Sequence, residues 1–233
     1  MTATKIQQSE NEAAREAIFA SIRGSLAASA PFDAVHQHHH AARPESVNAV
    51  RRSALSVDDL AHLFKGNLAG VGGHCEVVRA ESDAAKYIDD LIKGSGAKRV
   101  VVSDSDLISR LVNQGDEFEV IENPNRAQLF SCDLGVTSAQ WAIAETGTLV
   151  LRSEAESHRL VSLVPPVHVC VIKAENIKNT LGEILDLIGR DLNPTVTFIT
   201  GASRTSDIEL TLAVGVHGPG ELHVVIIDDR SGK

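Results

Sequence analysis

Cysteine is scarce in this sequence, with three residues among 233. Cys75, Cys132 and Cys170 are too far apart for the CxxC pairs of a zinc ribbon or the four-cysteine run of an iron–sulfur protein. Isolated cysteines in apolar segments such as HVCVI are typically buried and reduced. We therefore expect neither a bound cofactor nor a metal site in the folded domain.

Positive charge is also in short supply. The chain has 22 lysines and arginines against 31 aspartates and glutamates, and its formal net charge is -9. Affinity for nucleic-acid backbones comes mostly from Lys and Arg neutralising phosphates, so this balance argues against a nucleic-acid partner. An anion site on such a chain must be a local basic pocket.

Long apolar runs are missing as well. No stretch approaches the roughly 18 apolar residues of a membrane span, and the first thirty residues interleave charges with their apolar positions, unlike a signal peptide. We expect a cytoplasmic protein without a membrane span. Because a domain usually has roughly 100 to 200 residues, the length suits one large domain with an appendage.

Common catalytic and nucleotide-binding motifs are absent too. The glycine-rich GVGGHC at 70–75 has neither the Walker Lys-Ser/Thr nor the GxGxxG spacing. The chain also lacks a GxSxG nucleophile elbow. Chemistry must therefore be sought in less familiar loops.

The N-terminal segment has the pattern of an amphipathic helix. Within residues 1–28, apolar residues recur at helical spacing, with acidic residues early and a basic residue late, which suits the helix dipole. The apolar positions are Ala14, Ile18, Ile22 and Leu26. This pattern predicts a helix with one apolar stripe to bury.

Residues 29–56 have no periodicity and contain prolines, serines and a histidine cluster. We interpret them as a flexible linker to a domain that spans 57–233. The cluster suits either a solvated loop or a transition-metal site, and a metal site would need a folded second shell around it. Its members are His36, His38, His39 and His40.

From residue 57 onwards, helical patterns alternate with short β-branched runs, which predicts an α/β fold with a mostly parallel sheet flanked by helices. The run RVVVS lacks polar–apolar alternation, so both its faces should be covered. Residues 176–190 predict one long helix that packs on the sheet, and TVTFIT predicts a strand after it.

The segment TFITGASRTSDIELTL, residues 197–212, suggests a strand that turns into a helix at a lone arginine. Ligands in open α/β sheets bind beyond the carboxyl ends of the strands, near helix N-termini. Gly201 permits close backbone approach, Ser203 and Thr205 offer hydroxyls, and Arg204 offers a fork for carboxylate or phosphate. We therefore predict a small-anion site here, at the carboxyl end of the sheet.

A structural interpretation competes for the same residues. Ser206 and Glu209 have the spacing of a capping box for the predicted helix. Asp207 would line the anion site alongside Arg204, or it would form an ion pair with the arginine. The sequence leaves both interpretations open.

Two further candidates lie elsewhere. In AIAETGTLVL, Glu145 follows an apolar run and precedes a turn that includes Thr146 and Gly147. Glu145 suits a base or a nucleophile, or equally an ordinary turn residue. His217, beside the turn residues that start at Gly218, can titrate near neutral pH or serve a structural role.

Three blocks in this order and spacing resemble the lactate utilisation protein C family, whose members carry a LUD domain. They are GVTSAQWAIAETGTLVL, RLVSLVPPVHVCVI and FITGASRTSDIELTLAVGVHGPGELHVVIID, and the resemblance covers residues 57–229. One departure is Ala202, where many relatives have Pro. The motif positions that correspond are Thr137, Glu145, Thr146, Gly147, Thr148, Arg159, Pro165, Pro166, Gly201, Ser203, Arg204, Thr205, Asp207, Glu209, His217 and Gly218.

The resemblance implies a fold similar to that of sugar-phosphate isomerases and coenzyme A transferases, with a small antiparallel extension of the sheet. It also implies a cluster-free subunit of an L-lactate-oxidising system that acts with iron–sulfur partner proteins. By analogy with the transferases, Glu145 would be a nucleophile.

Alternatives to this function are an isomerase- or transferase-like enzyme for a sugar phosphate or coenzyme A thioester, or a non-catalytic scaffold. A homo-oligomer is compatible with any of them.

Overall fold

The structure is a computed structural model that describes residues 15–25, 27, 55–153, 159–189, 195–206, 212–214 and 218–232. The chain divides into two units, Met1–Ser53 and Ala54–Lys233, which we describe separately. In the first unit, residues 15–25 form a helix, α1, on which Ile18, Phe19 and Ile22 are exposed. The predicted linker and its histidine cluster lie outside the described residues, and the predicted domain limits at 28 and 56 stay predictions.

The second unit is built on a sheet of six parallel strands in the order β1-β12-β7-β4-β2-β3. The central strands β12, β7 and β4 are almost wholly buried, as the predicted cover on both faces requires. The strands are β1 His74–Val78, β2 Arg99–Val102, β3 Glu119–Ile121, β4 Leu134–Ser138, β7 Val167–Lys173 and β12 Glu221–Ile227.

Helices α3 (Glu81–Ser95) and α4 (Asp106–Leu111) cover one face of this sheet. Their apolar side chains, among them Ile88, Ile92 and Ile108, pack with the valines of the strands. The short helix α5 (Arg126–Leu129) places Leu129 in a smaller cluster beside β2.

Helix α2 (Val57–Gly70) and a second sheet cover the opposite face. Ser56 caps α2, since its Oγ accepts from the backbone N–H of Asp59 and Asp59 accepts from the Ser56 N–H in return. Phe64 and Leu68 of α2 pack with Leu149 of the second sheet over the parallel strands.

The second sheet has four strands in the order β8-β5-β6-β9, with antiparallel β5–β6 and β6–β9 pairs and a parallel β5–β8 pair. Helix α6 (Leu181–Ile188) packs Ile184 against its outer face. The strands are β5 Trp141–Ile143, β6 Thr148–Arg152, β8 Ile177–Lys178 and β9 Val196–Ile199. The predicted α/β class, with a mostly parallel sheet and a small antiparallel extension, is therefore confirmed.

Three sequence predictions are wrong in detail. The helix predicted over 176–190 begins only at Leu181, because Ile177 and Lys178 pair with β5 as strand β8. The strand predicted in TVTFIT is present as β9, and only its expected place in the parallel sheet is wrong, because it pairs with β6 in the second sheet.

The segment predicted to start a helix at Ser206 has strands at both of its described ends, β10 (Arg204–Ser206) and β11 (Leu212–Val214), and Ser206 pairs with Leu212, while residues 207–211 lie outside the described residues. The physical reason lies in SDIELTL, where apolar residues occur at every second position and so suit a strand.

Three short 3₁₀ turns complete the described part of the unit, at Arg159–Ser162, Ala174–Asn176 and Asp229–Gly232. Among the helices that the structure describes, none has the length and apolar character needed to cross a membrane.

Candidate functional site

A cleft of about 320 Å³ opens where β7 and β12 begin. Among the residues that the structure describes, none that lines the cleft is acidic, although the chain as a whole carries a net charge of -9. The lining residues are Ser162, Leu163, His168, Phe198, Ile199, Thr200, Gly201, Ala202, Ser203, Arg204, Gly218, Pro219 and Leu222.

The cleft lies at the amino end of the parallel sheet, so the predicted position at the carboxyl end is wrong. His168 and Leu222 are the second residues of β7 and β12, and both strands run parallel to the rest of the sheet. The prediction failed because it assigned residues 196–199 to the parallel sheet. In the structure they form an edge strand of the second sheet, and the chain turns from there towards the amino ends.

Arg204, the first residue of β10, is the cationic group of the cleft. Its side chain is exposed, and its guanidinium lies against the α-carbon of Gly72, where a Cβ would collide with it. No acidic side chain of the described residues pairs with it. Asp207, the partner predicted from the sequence, lies outside the described residues. Arg204 therefore reaches the cleft with its charge uncompensated by the described chain.

The loop before Arg204 is fixed by backbone contacts. The Ser203 N–H donates to the Pro219 carbonyl at 2.8 Å, and the Ser203 side chain lies beside Gly218. The Gly220 N–H donates in turn to the Pro166 carbonyl at 2.9 Å. Two of the three sequence blocks thus meet at the cleft, and Gly201, Ser203 and Arg204 are among its lining residues, while their role as an anion site stays a prediction.

His168 is the cleft residue that sequence reasoning missed. It is fully buried, its Nε2 lies 2.8 Å from Thr137 Oγ1, and its Nδ1 has no hydrogen-bond partner. Burial lowers the pKa of His168 to about 3, so the ring is neutral at physiological pH. The available signal was a histidine inside the apolar run VHVCVI, where a buried polar group requires a partner.

Glu145, Thr146 and Gly147 form the turn between β5 and β6 and do not line the cleft. Glu145 is exposed, and its Oε1 accepts from the Leu181 N–H at 2.8 Å, at the first turn of α6. Gly147 has φ 65° and packs on the backbone of Leu68, where a Cβ would collide. This geometry gives Glu145 a helix-capping contact, while a catalytic role for it stays a prediction.

A chain of hydroxyl groups nevertheless joins this turn to the cleft. Thr146 Oγ1 lies 2.7 Å from Thr148 Oγ1, which lies 2.8 Å from Thr200 Oγ1 on the cleft wall. Thr146 is therefore coupled to the cleft through Thr200. Of the other predicted site residues, Thr205 pairs with Ala213 in the β10–β11 hairpin, and His217 lies outside the described residues.

A recess of about 10 Å³ adjoins the cleft, since Ser162 lines both and Thr137 of the recess contacts His168 of the cleft. Arg152 and Arg159 line it, and none of its lining residues that the structure describes is acidic. Arg152 also lies over the Trp141 ring at 5.4 Å. The recess therefore places two guanidinium groups at a wall that shares Ser162 with the cleft.

The carboxyl end of the sheet, where ligands are usual in this fold class, holds a compensated ion network. A cleft of about 260 Å³ there is lined by Asp58, Arg79 and Asp228, among others. Asp228 accepts from Arg230 and Arg79, and Arg230 also reaches Asp58 at 2.6 Å. The Arg230 hydrogen bond lowers the pKa of Asp228. The carboxylates at this end of the sheet are therefore paired with arginines, whereas Arg204 has no acidic partner among the described residues.

In the part of the chain that the structure describes, no group of three or more His, Cys, Asp or Glu side chains is placed to hold a metal ion. The histidine cluster at 36–40 lies outside that part.

Several known proteins are similar to this chain in sequence or in fold. Residues 61–227 match the model of the LUD domain family. Lactate utilization protein C of Deinococcus radiodurans is 30% identical over 191 residues, covering 79% of this chain and 88% of that protein. The protein of the same name from Bacillus subtilis is 27% identical over 198 residues, covering 75% of this chain and 81% of that one.

A crystal structure of a DUF162 family protein from Deinococcus radiodurans superposes with a TM-score of 0.58 and 24% sequence identity, covering 74% of this chain and 99% of that chain. This likeness concerns the fold alone. The family match and the curated relatives confirm the resemblance carried by the three sequence blocks, and the chain belongs to the LUD-domain family.

Proposed function

We propose that this protein acts in lactate utilisation as a cluster-free subunit, and that its cleft binds a small carboxylate at Arg204. One observation carries the proposal: Arg204 has no acidic partner among the described residues, and the described lining of its cleft contains no acidic side chain, in a protein of net charge -9. A guanidinium in this setting favours a carboxylate or phosphate, which it can bind through two parallel hydrogen bonds.

The size of the cleft favours a small acid. Pockets for drug-sized ligands and cofactors have about 300 to 1,000 Å³, and this cleft, at about 320 Å³, is at the lower limit. Phe198, Ile199 and Leu222 give it apolar walls that suit a short hydrocarbon chain. Lactate and pyruvate combine a carboxylate with such a chain, and the relatives named lactate utilization protein C support this choice.

Oxidation of lactate to pyruvate releases two electrons and two protons, which need an acceptor. We assign the acceptor to partner proteins that carry iron–sulfur clusters, as the family resemblance implies. The role of this chain would be to bind and orient the acid.

A binding titration tests the anion site. Calorimetry of the full chain with lactate, pyruvate, phosphate and coenzyme A should show binding of the small acids. Arg204→Ala should weaken that binding by about 10- to 100-fold, the loss expected for a charge-assisted hydrogen bond. Arg204→Lys should restore only part of it, because an ammonium cannot reproduce the planar fork.

Lys86→Ala is the matched control, because it removes one exposed positive charge from α3 on the opposite face of the sheet. Equal affinities in all four proteins would refute the anion site. A lower melting temperature with unchanged affinity in Arg204→Ala would assign the arginine to stability instead.

Reduction of a dye by lactate tests the subunit role. The assay compares the purified chain alone with the chain plus iron–sulfur proteins encoded by neighbouring genes. Activity only in the mixture supports the proposal, and full activity of this chain alone contradicts it.

A further inference from the structure

His168 carries a polar atom that the described chain leaves unsatisfied. The residue has 0% exposure, and its Nδ1 has no hydrogen-bond partner. An unpaired buried polar group costs about 1 to 3 kcal/mol, so folded proteins rarely keep one without a ligand or a water. His168 belongs to the wall of the Arg204 cleft, but its Nδ1 has less than 1 Å² of accessible surface, so a ligand in that cleft would reach it only after neighbouring wall side chains move aside.

The contact with Thr137 allows His168 Nδ1 to act either as a hydrogen-bond donor or as an acceptor. Its hydroxyl lies 2.8 Å from Nε2, and a hydroxyl can donate or accept by rotation. If Thr137 donates to Nε2, the ring proton is on Nδ1, which then donates into the cleft. If Thr137 accepts from Nε2, Nδ1 is an acceptor. The neutral ring keeps its contact with Thr137 in both tautomers.

We infer that His168 Nδ1 recognises the oxygen at carbon 2 of a short 2-hydroxy or 2-oxo acid whose carboxylate is bound by Arg204. The inference rests on the proposed function and narrows its ligand class. An alcohol oxygen donates its proton to the acceptor tautomer, and a ketone oxygen accepts from the donor tautomer. One residue pair therefore serves both members of a hydroxy acid and oxo acid couple.

The rest of the cleft fits this division of roles. Arg204 is exposed, whereas His168 is buried in the wall, so the carboxylate lies towards solvent and the 2-oxygen lies inside. The apolar side chains of Ile199 and Leu222 are left for the methyl group. Propionate has the same carbon chain and carboxylate as lactate but lacks the 2-hydroxyl, which makes it the matched probe.

Binding of the two acids to the full chain is the first test. Wild type should bind lactate roughly tenfold more tightly than propionate, the gain expected for one hydrogen bond to a buried group. His168→Leu should bind propionate as wild type does and lose most of the preference for lactate. Thr148→Val, which removes a hydroxyl beside the cleft but leaves His168 intact, should keep the preference.

The second test needs no altered cleft. In wild-type protein labelled with ¹⁵N-histidine, lactate and pyruvate should each shift the Nδ1 resonance of His168, in opposite directions for the acceptor and donor tautomers, and propionate should not. Through-bond connectivities from the assigned wild-type backbone identify the His168 resonance, so the assignment needs no variant. This measurement remains decisive if the variant fails to fold.

The outcomes separate the two proposals. If wild type binds neither acid, the proposed function fails and the inference fails with it. If it binds both acids equally and the Nδ1 resonance does not respond, the inference alone is overturned, because Nδ1 then has another partner such as a buried water.

Discussion

Arg204 depends on the residue beneath its guanidinium. Gly72 has φ 81°, in the left-handed region that side chains rarely adopt, and a Cβ at this position would collide with the arginine. A glycine in the loop between α2 and β1 therefore leaves the space that the cationic group of the cleft occupies. The glycine-rich segment GVGGHC gave no indication of this contact, because Arg204, which occupies the space above Gly72, is far away in the chain.

Gly72→Ala should weaken lactate binding by displacing Arg204, and it should also destabilise the fold by about 1 to 3 kcal/mol through backbone strain. Calorimetry with lactate and urea unfolding measure the two effects. Gly70→Ala is the control, since a Cβ there meets nothing within 4 Å. Unchanged affinity in folded Gly72→Ala would show that Arg204 needs no fixed position.

Some of the residues that line the cleft can be recognised from one segment of the sequence, and others cannot. Gly201, Ser203 and Arg204 lie close together in sequence and were proposed because a glycine, a hydroxyl and a lone arginine follow an apolar run. His168 was not proposed because its place in the cleft wall depends on a tertiary contact with Thr137 and on its burial beside Leu222. A pattern read along one segment cannot reveal a partner from another strand.

At the scale of elements, the junction between the β5–β6 turn and α6 explains Glu145. The Glu145 carboxylate accepts from the Leu181 N–H, and the Thr180 hydroxyl accepts from the Glu183 N–H at 3.4 Å. Both contacts satisfy amide groups that the first turn of a helix leaves free. Glu145 thus links the second sheet to the helix on its outer face.

Glu145→Ala should therefore lower the free energy of unfolding by about 0.5 to 1 kcal/mol, at the low end of capping values because the residue is exposed. Lactate-dependent activity with the partner proteins should persist. Glu175→Ala removes an exposed carboxylate near α6 and should leave stability unchanged. Lost activity with intact stability in Glu145→Ala would instead support the nucleophile role predicted from the sequence.

Helices and strands could be predicted from the sequence wherever the local spacing of apolar residues determines which of them forms. The alternation of helices and buried strands from α2 to β4 followed from the sequence, because both faces of those strands are covered. A helix was predicted where strands β10 and β11 lie, because the capping-box spacing of Ser206 and Glu209 was given more weight than the alternating apolar pattern that follows. Strand β8 was missed because two residues form it only by pairing with β5.

For the molecule as a whole, buried histidines set a dependence of stability on pH. The pKa of His168 is about 3 in the folded state, against an ordinary value of 6.5, because burial disfavours the charged ring. Between about pH 6.5 and pH 3, His168 therefore binds a proton in the unfolded chain but not in the folded chain. Burial, with a contribution from His74, lowers the pKa of His223 in the same direction.

The free energy of unfolding should therefore fall as the pH is lowered from about 6.5 towards 3, with His168 alone contributing up to about 1.4 kcal/mol per pH unit. Urea unfolding at a series of pH values measures this slope. His168→Leu should remove the His168 part and leave that of His223. Below pH 3.8 the slope should steepen, because Asp228 has a lowered pKa and loses its ion pairs on protonation. A flat profile between pH 6.5 and 4 would contradict the buried, neutral state of His168.

The position of β12 affects how the domain is made on the ribosome. This last strand lies between β7 and β1, and β1 has no other neighbour in the parallel sheet. The first strand to be synthesised must therefore wait for the last before it can join the sheet. Since Leu222 of β12 also lines the cleft, the nascent chain completes this cleft only when translation of the domain is nearly finished.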